Sequence, residues 1–401
     1  MNVLFLTLFG INSIEDRGIY QDLLRKFRNE GHQLTIVTPV ERRKGISTNF
    51  STKEGVNILQ VKTFNITKTN VIEKGIGTLA IEYQYLYAVK KYLKHFKFDL
   101  VLYSTPPITL VKVIEFIKKR DNAYSYLLLK DIFPQNAIDM QMMKSNGFLH
   151  RYFVKKEKEL YKISDKIGCM SPANVDFILK HNPELNPAKV EVNPNSIEPI
   201  EINYSEKDKN EVRSKYKLPL DKKILVYGGN LGKPQGLDFL LETIKECKNA
   251  QAYFLIVGDG TEFPKLKEWF DVNKPNNAKL LQRLPKSDYD RLLESCDIGL
   301  IFLHQDFLIP NFPSRLLSYL EMKKPIIAAT DPNTDIGDII EKHNCGKKVI
   351  AGNIEQMLNS INNLLEEDLK KYEQNCINLL NNEYLVERSY QIIISHFNHL
   401  S

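Results

Sequence analysis

Apolar runs alternate with helical patterns along the first half of the chain. Short runs rich in β-branched and aromatic residues predict strands at 3–8, 34–38, 100–103, 124–129 and 167–170, with an added strand at 56–61. Apolar positions at helical spacing predict helices at 19–29, 83–93 and 110–119. This alternation is typical of βαβ units and predicts an α/β fold with parallel sheets.

The same alternation of apolar runs and helical patterns begins again in the second half of the chain. Its apolar runs are 224–227, 253–257, 279–282, 298–302 and 325–328. Between the two sets, residues 192–204 contain two prolines with turn-forming Asn and Ser, which is typical of a linker. A chain of 401 residues also fits two domains of about 200 residues each. We therefore predict domains over 1–195 and 205–385, and a final helix over 386–401.

Composition favours a cytoplasmic protein. Apolar residues make up 43% of the chain and charged residues 26%, as in soluble globular proteins. The apolar opening 1–9 is shorter than the roughly 18 residues of a membrane span and has no basic residue before it, so it predicts a buried strand. The five cysteines lack C-x-x-C spacing, which argues against a disulfide framework or a structural zinc site.

Positive charge is concentrated in the first half. Residues 1–200 carry 29 Lys+Arg and 20 Asp+Glu, whereas residues 201–401 carry 26 and 29. We therefore expect the first domain to face an anionic partner. One predicted helix combines lysines with apolar residues, which suits an anionic membrane surface, although a solvated helix face explains it equally well. These residues are Phe148, Leu149, Tyr152, Phe153, Lys155, Lys156, Lys158, Leu160, Tyr161, Lys162 and Lys166. No recognisable nucleic-acid motif accompanies them, so we expect no nucleic acid partner.

Two segments have the features of a phosphate-binding site. In 311–316, N-F-P-S-R-L, a turn opens a helix, and both the unpaired amides and Arg315 would attract phosphate. In 228–236, four glycines lie between a predicted strand and a predicted helix, where glycine lets backbone approach phosphate oxygens. The spacing is not G-x-G-x-x-G, which argues against a dinucleotide dehydrogenase. Ordinary βα turns are the alternative for both segments.

Four motifs resemble those of the retaining glycosyltransferases of family 4. They are K-D-I-F-P-Q-N-A (130–137), Y-G-G-N-L-G-K-P-Q-G-L-D-F-L-L (227–241), L-I-V-G-D-G-T-E (255–262) and N-F-P-S-R-L-L-S-Y-L-E-M-K-K-P-I-I-A (311–328). The likeness covers nearly the whole chain and is greatest to the bacterial N-acetyl-L-fucosamine transferases of capsule and O-antigen assembly. It implies the GT-B fold, in which two Rossmann-like domains face each other across a cleft. The first domain would bind the acceptor, the second would bind the nucleotide-sugar donor, and the last helix would cross back to the first domain.

The chain departs from the family at the donor diphosphate. Many members hold the diphosphate with an Arg and a Lys, at positions that are Asn230 and Gln235 here. A diphosphate still needs compensating charge, so we expect Lys233 and Arg315 to take over this role.

A second departure concerns the ribose and the sugar. The family's paired glutamates correspond to Pro310 and Ser318, so we expect Ser318, or Glu321 one helical turn onward, to bind the ribose. Backbone groups near Phe312 would bind the sugar, and the loop at 283–285 would hold the uracil base. The predicted nucleotide-sugar site is Gly229, Asn230, Lys233, Gly258, Arg283, Leu284, Phe312, Ser314, Ser318 and Glu321.

Lys130 and Asp131 end an apolar strand of the first domain and are the predicted acceptor-side residues. The resemblance implies that Asp131 orients the acceptor hydroxyl or accepts its proton, and that Lys130 lies near the donor phosphate; with Arg315 these are the predicted catalytic residues. The alternative for Asp131 is a cap on the following segment. No D-x-D motif lies near Asp259, so we expect neither a metal nor a cofactor.

The resemblance therefore implies a metal-independent retaining glycosyltransferase at the cytoplasmic face of the cell membrane. It would move a sugar, N-acetyl-L-fucosamine being favoured, from a UDP-sugar to an undecaprenyl-type lipid-linked saccharide in capsular or surface polysaccharide synthesis. The alternatives are a UDP-sugar epimerase of the same architecture and an inactive two-domain binding protein, which the missing glutamates keep open.

Overall fold

The structure is a computed structural model that describes residues 1–66, 71–140, 143–201 and 204–397. The chain forms two compact units, one of Met1–Glu198 with the chain from Val386 onward, the other of Pro199–Leu385. The division between Glu198 and Pro199 falls inside the predicted linker. Residues 202–203 of that linker and the last residues of the predicted final helix lie outside the described ranges.

Each unit is built on one largely parallel sheet. The sheet of the first unit contains, within the described residues, β1 (Asn2–Leu6), β2 (Gln33–Glu41), β3 (Asn49–Lys53), β4 (Val56–Thr63), β5 (Leu100–Ser104), β6 (Tyr124–Leu129), β7 (Lys166–Cys169) and β8 (Val190–Val192). The sheet of the second unit contains β9 (Lys223–Asn230), β10 (Ala252–Asp259), β11 (Ala278–Gln282), β12 (Ile298–Phe302), β13 (Ile326–Thr330) and β14 (Gly346–Ile350). All neighbouring strands are parallel except the β3–β4 hairpin.

Helices connect most of the strands. Those of the first unit up to the linker are α1 (Ile19–Asn29), α2 (Val71–Tyr92), α3 (Val111–Asp121), α4 (Gln135–Asp139), α5 (Phe148–Ile163) and α6 (Pro172–His181). Those of the second unit are α7 (Glu206–Lys215), α8 (Leu237–Glu246), α9 (Phe263–Asn273), α10 (Lys286–Glu294), α11 (Arg315–Glu321), α12 (Ile336–Lys342), α13 (Ile354–Glu366) and α14 (Lys370–Glu383), after which α15 (Val386–Ser395) returns to the first unit. The predicted α/β fold of two Rossmann-like units with parallel sheets is confirmed.

Each sheet has one place where successive connections leave in opposite directions. The strand orders are β3-β4-β2-β1-β5-β6-β7-β8 and β11-β10-β9-β12-β13-β14. After β1 the chain passes to β2 on one side, whereas after β5 it passes to β6 on the other side. In the second sheet the chain passes in the same way from β9 to β10 on one side and from β12 to β13 on the other. In parallel sheets such a topological switch point leaves a crevice at the carboxyl ends of the strands. We call the β1/β5 edge the first switch point and the β9/β12 edge the second switch point.

The central strands are buried and read as continuous apolar runs. Every residue of β5 and of β12 is buried, as expected for parallel strands covered by helices on both faces. Helix α15 completes the core of the first unit, because Tyr390 packs edge-on against Phe27 with ring centroids 4.9 Å apart. The Ser389 hydroxyl also donates to Asn193 Oδ1 at 2.7 Å.

Two local predictions are corrected. Helix α2 begins at Val71, about three turns before the predicted start at residue 83, because Gly75 and Gly77 obscure its first turns. Residues 49–53, for which no strand was predicted, pair with β4 as a hairpin whose turn residues Glu54 and Gly55 both have positive φ.

The predicted lipid-facing arrangement of α5 is wrong for its central residues. Lys156 is buried with its Nζ 3.1 Å from Glu82 Oε2, and Phe153 and Leu160 are also buried. Lys166 belongs to β7 rather than to the helix. The apolar residues in the middle of α5 therefore pack into the first unit.

Candidate functional site

The second switch point is held open by a tyrosine. β9 and β12 pair only at Ile298↔Leu225 and Gly299↔Val226. Beyond this pairing, the Tyr319 hydroxyl of α11 lies 3.1 Å from the Val226 carbonyl oxygen and 3.0 Å from that of Leu300, and it accepts from the Gly228 amide at 3.3 Å. The side chain thus occupies hydrogen-bonding groups that a continued β-ladder would have used.

A guanidinium occupies this switch point. Arg315, the first residue of α11, lies over the Tyr227 ring with 4.2 Å between Cζ and the ring centroid. Its Nη2 donates to Gln235 Oε1 at 2.6 Å. Its Nη1 is buried and has no partner among the described residues, and no described carboxylate forms an ion pair with it. A partly buried cation without a counter-ion is unfavourable, so this arrangement, which we call the Arg315 seat, is suited to an anion.

The predicted glycines pack closely around this seat. Gly229 is exposed with φ +129°, and a Cβ built on it would lie 3.7 Å from Arg315 Nη2. A Cβ at Gly228 would lie 1.7 Å from the Tyr289 hydroxyl oxygen, and one at Gly258 would lie 2.0 Å from the Gly229 carbonyl oxygen. Side chains at Gly228 and Gly258 would not fit without a shift of Tyr289 or of the β9 backbone, and at Gly229 the positive φ favours glycine.

The other predicted donor residues follow the carboxyl ends of strands in the same unit. Asn230 ends β9 and is exposed, as is Lys233 in the 3₁₀ turn Lys233–Gln235. Arg283 and Leu284 follow β11, the first exposed and the second partly exposed. Ser314 is exposed immediately before α11.

The last three residues of the predicted donor site, Phe312, Ser318 and Glu321, differ in their surroundings. The Phe312 ring is buried near Tyr384, with ring centroids 6.2 Å apart, so only its backbone is suited to a ligand. Glu321 is buried, and its Oε1 accepts from the Ile200 amide at 2.8 Å. Ser318, one turn earlier on α11, is partly exposed. Of the two candidates for ribose, Glu321 already has a structural role.

The acceptor-side residues of the first unit are partly buried titratable groups. The Thr105 hydroxyl fixes the backbone of both residues, because the amides of Lys130 and Asp131 donate to Thr105 Oγ1 at 3.0 and 3.2 Å. Burial raises the pKa of the Asp131 carboxyl to about 6, although Asn136 Nδ2 donates to its Oδ1 at 2.8 Å. Pro134 is the N-cap residue of α4, and the Asp131 carboxylate contacts the following segment through the Asn136 side chain.

Lys130 has an internal partner. Its Nζ donates to the Asn193 carbonyl oxygen at 3.1 Å, and burial lowers its pKa to about 7.

Tyr20 of α1 interacts electrostatically with Asp131. Burial raises the pKa of the Tyr20 hydroxyl, and the Asp131 charge raises it further. Lys130 and Asp131 are thus adjacent in sequence, but their side chains have different partners.

Several buried polar atoms at the carboxyl edge of the first sheet have no partner within the described ranges. They are Gln21 Oε1, Thr109 Oγ1, Asn136 Oδ1 and Asn195 Oδ1. Each belongs to a segment that follows a strand: β1, β5, β6 and β8 in turn. Buried polar groups are normally hydrogen-bonded, so this edge is suited to a polar ligand rich in hydroxyl groups.

Sequence reasoning missed the groups that position Arg315. Tyr227, Gln235 and Tyr319 were not predicted to do so, since their contacts with Arg315 or with the diverging strands span up to 93 residues. The only signal for Tyr227 is its place before a glycine pair at the end of a strand.

The described residues contain no group of three His, Cys, Asp or Glu side chains that could hold a metal ion. The Asp259 Oδ1 atom accepts from the Gly260 amide at 2.9 Å, which stabilises the G-D-G turn. None of the helices in the described ranges is long and apolar enough to cross a membrane.

Comparison with known proteins identifies the class. Residues 208–379, within the second unit, match the family model described as Glycosyl transferases group 1. A Pseudomonas aeruginosa protein named "Probable glycosyltransferase WbjE" is 22% identical over 343 residues, covering 84% of this chain and 82% of that protein. The glycosyl transferase WcaI of Escherichia coli (strain K12), named for colanic acid biosynthesis, is 26% identical over 137 residues, 33% of each chain.

Solved structures share the fold over the whole chain. Sucrose-phosphate synthase of Thermosynechococcus elongatus has a TM-score of 0.77 at 12% identity, covering 100% of this chain and 99% of that one. Anabaena Alr3699/HepE in complex with UDP has a TM-score of 0.69 at 15% identity, with 100% of both chains covered. The fold is therefore GT-B. The protein is a glycosyltransferase, and the match to the glycosyl transferases group 1 model lies within its second unit.

Proposed function

We propose that the protein is a metal-independent retaining glycosyltransferase that moves a sugar from a UDP-sugar to a lipid-linked saccharide during surface polysaccharide assembly. The observation that carries this proposal is the partly buried Arg315 guanidinium at the second switch point, whose buried Nη1 has no hydrogen-bond partner and which has no carboxylate partner in the described part of the chain. A nucleotide diphosphate supplies the missing negative charge. The Anabaena structures in complex with UDP and with UDP-glucose support a UDP donor for this fold.

In the donor half of the reaction, Arg315 stabilises the leaving group. As the bond between the anomeric carbon and the diphosphate oxygen breaks, negative charge grows on that oxygen. A guanidinium already oriented by Tyr227 and Gln235 meets this charge without reorganisation. Lys233 adds a second positive charge, and no metal ion is required.

In the acceptor half, the first unit binds the saccharide through its unpartnered polar atoms. The Asp131 carboxylate accepts a hydrogen bond from the attacking hydroxyl and so fixes its direction. The acceptor oxygen then bonds to the anomeric carbon on the face that the diphosphate leaves, and the hydroxyl proton passes to the departing diphosphate. No protein nucleophile is needed, and the configuration at the anomeric carbon is retained.

The sugar is proposed to be N-acetyl-L-fucosamine, on the strength of the motif resemblance. The family's first glutamate, which contacts donor-sugar hydroxyls, is replaced by Pro310 here. A 6-deoxy sugar has fewer hydroxyls and suits a less polar pocket. The name of the relative WcaI, which refers to colanic acid biosynthesis, supports a polysaccharide pathway.

The acceptor is proposed to be carried on an undecaprenyl-type lipid at the cytoplasmic face of the membrane. The excess of positive charge lies in the half of the chain that would bind this acceptor. An anionic membrane surface would attract that half and concentrate the enzyme where its substrate is confined.

The test is a screen of UDP-sugars against a lipid-linked saccharide acceptor, read by mass spectrometry together with UDP release. We expect UDP release that depends on the acceptor, with one sugar mass added to it. An epimerase would instead change the UDP-sugar without acceptor, and a binding protein would release no UDP; either result would overturn the proposal.

A further inference from the structure

Nearly half of the large hydrophobic side chains that are exposed in the described residues lie on two helices of the first unit. Among the described residues, thirteen such side chains are exposed, and six of them lie on α2 and on the first turn of α5. These six, which we call the apolar face, are Ile76, Leu79, Tyr83, Tyr87, Phe148 and Leu149. The other seven are scattered over both units. Single exposed hydrophobics are ordinary, but a concentration of this kind marks an interaction surface.

The four residues of α2 form a continuous stripe. Their spacing of three, four and four residues places Ile76, Leu79, Tyr83 and Tyr87 along one side of the helix. The opposite side is already used, because Ile81, Tyr85, Ala88 and Val89 are buried in the first unit. Helix α2 therefore has two apolar sides, and packing within the unit accounts for only one of them.

The middle of α5 contacts α2 beside this stripe. The buried pair of Lys156 with Glu82 fixes the middle of α5 beside α2, next to Tyr83. One turn earlier on α5 lies Tyr152, whose pKa is raised by burial. Tyr152 also interacts electrostatically with Lys156, Glu82 and Tyr83. The following turn toward the start of the helix carries Phe148, 85% exposed, and Leu149, 52% exposed.

Basic residues border the apolar face. Lys112 Nζ donates to the Tyr83 hydroxyl at 2.8 Å and lies 4.4 Å from the centre of its ring. Lys90, Lys91, Arg151 and Lys155 are also exposed on α2 and α5. The neighbouring acidic groups are engaged: Glu82 and Glu159 pair with Lys156, and Glu115 pairs with Lys119.

We propose that the apolar face inserts into the interfacial layer of an anionic membrane leaflet. Tyrosine, phenylalanine and leucine suit this layer, while bordering lysine and arginine side chains reach lipid phosphates. A protein partner would fit the apolar side chains, but the excess of basic over available acidic groups favours a lipid surface. The proposal rests on the proposed function in that a lipid-linked acceptor is confined to the membrane. It locates the contact on α2 and the start of α5 rather than on the central lysines of α5.

The test is flotation of the full chain with vesicles of phosphatidylglycerol and phosphatidylcholine, compared with phosphatidylcholine alone. The variant Y87S/F148S/L149S changes exposed side chains only, so folding should be kept, and thermal unfolding checks this. We expect at least an about tenfold loss in partitioning to the anionic vesicles, because three large apolar groups no longer leave water. The matched control L220S/V272S removes side chains of similar exposure, 53% and 74%, from the second unit and should bind as the wild type does.

Vesicle binding by Y87S/F148S/L149S equal to wild type would overturn the proposal. It would also be overturned if sedimentation showed that the variant loses self-association while vesicle binding is unchanged, because the apolar face would then be a protein interface. UDP affinity, measured by calorimetry on the same variant, should be unaltered. A wild-type protein that binds vesicles but not UDP would instead count against the proposed function alone.

Discussion

The two switch points have the same topology but hold groups of different charge behaviour. At the second, Arg315 is a guanidinium that stays charged at any physiological pH and is oriented by Tyr227 and Gln235. Near the first, burial brings the pKa of Asp131 up to about 6 and that of Lys130 down to about 7. One site carries a permanent charge, and the other carries groups whose charges are easily lost.

This difference fits the two kinds of ligand that the proposed reaction requires. A diphosphate is anionic in every state of the reaction, so a fixed cation serves it throughout. A saccharide hydroxyl is neutral and must be oriented, which suits unpartnered polar atoms and a carboxylate whose protonation changes near neutral pH.

The largest expected effect is at Arg315. Arg315→Ala should cost about 2–4 kcal/mol of transition-state stabilisation, since an oriented donor to developing charge is removed. This is measured as kcat/KM for UDP release. Arg315→Lys, which keeps the charge but loses the contact geometry with Gln235, should fall between alanine and wild type. Near-normal turnover of the alanine variant would show that the diphosphate does not bind here.

The second prediction concerns Asp131 and pH. The carboxylate form is the one that accepts the hydroxyl hydrogen bond, and the pKa of about 6 means that it is lost as pH falls. We expect kcat/KM to fall about tenfold per pH unit below about pH 6. Asp131→Asn should cost about 1.5–3 kcal/mol at pH 7.5, the usual value for a hydrogen bond to a charged group, and should abolish this acidic limb. An unchanged pH profile in the asparagine variant would assign the limb to another residue.

A smaller effect is expected at the ribose site. Ser318→Ala should weaken UDP binding by about 1 kcal/mol, the loss of one neutral hydrogen bond, as measured by calorimetry. Glu321→Ala should lower the free energy of unfolding instead, because the Ile200 amide loses its acceptor. If Glu321→Ala weakened UDP binding more than Ser318→Ala did, the roles would be reversed.

The smallest expected effect is that of a chelator. Turnover should be unchanged in EDTA, because cationic side chains neutralise the diphosphate in the proposed mechanism. Loss of activity in EDTA, with recovery on adding Mg²⁺ or Mn²⁺, would contradict this prediction.

Sequence patterns predicted much of what is local: eleven of the fourteen strands in the described residues, helices such as α1 and α3, and the glycine loop at the end of β9. The strands β3, β8 and β14 were not predicted. The strand β9 reads as a continuous apolar run, and α1 has apolar residues at helical spacing. The position of Lys156 was mispredicted because its burial depends on Glu82, 74 residues away. The seat around Arg315 likewise depends on Gln235, 80 residues away, and the sequence has no local signal for that contact.

The place of α15 in the chain has a consequence for biosynthesis. Phe27 packs against Tyr390, and Asn193 accepts a hydrogen bond from Ser389. Tyr390 and Ser389 are synthesised only after the entire second unit. The first unit is thus begun first and completed last, while the second unit, continuous in sequence, has all of its residues available earlier. The second unit can therefore fold without the end of the chain, whereas the first unit needs α15 to complete its core.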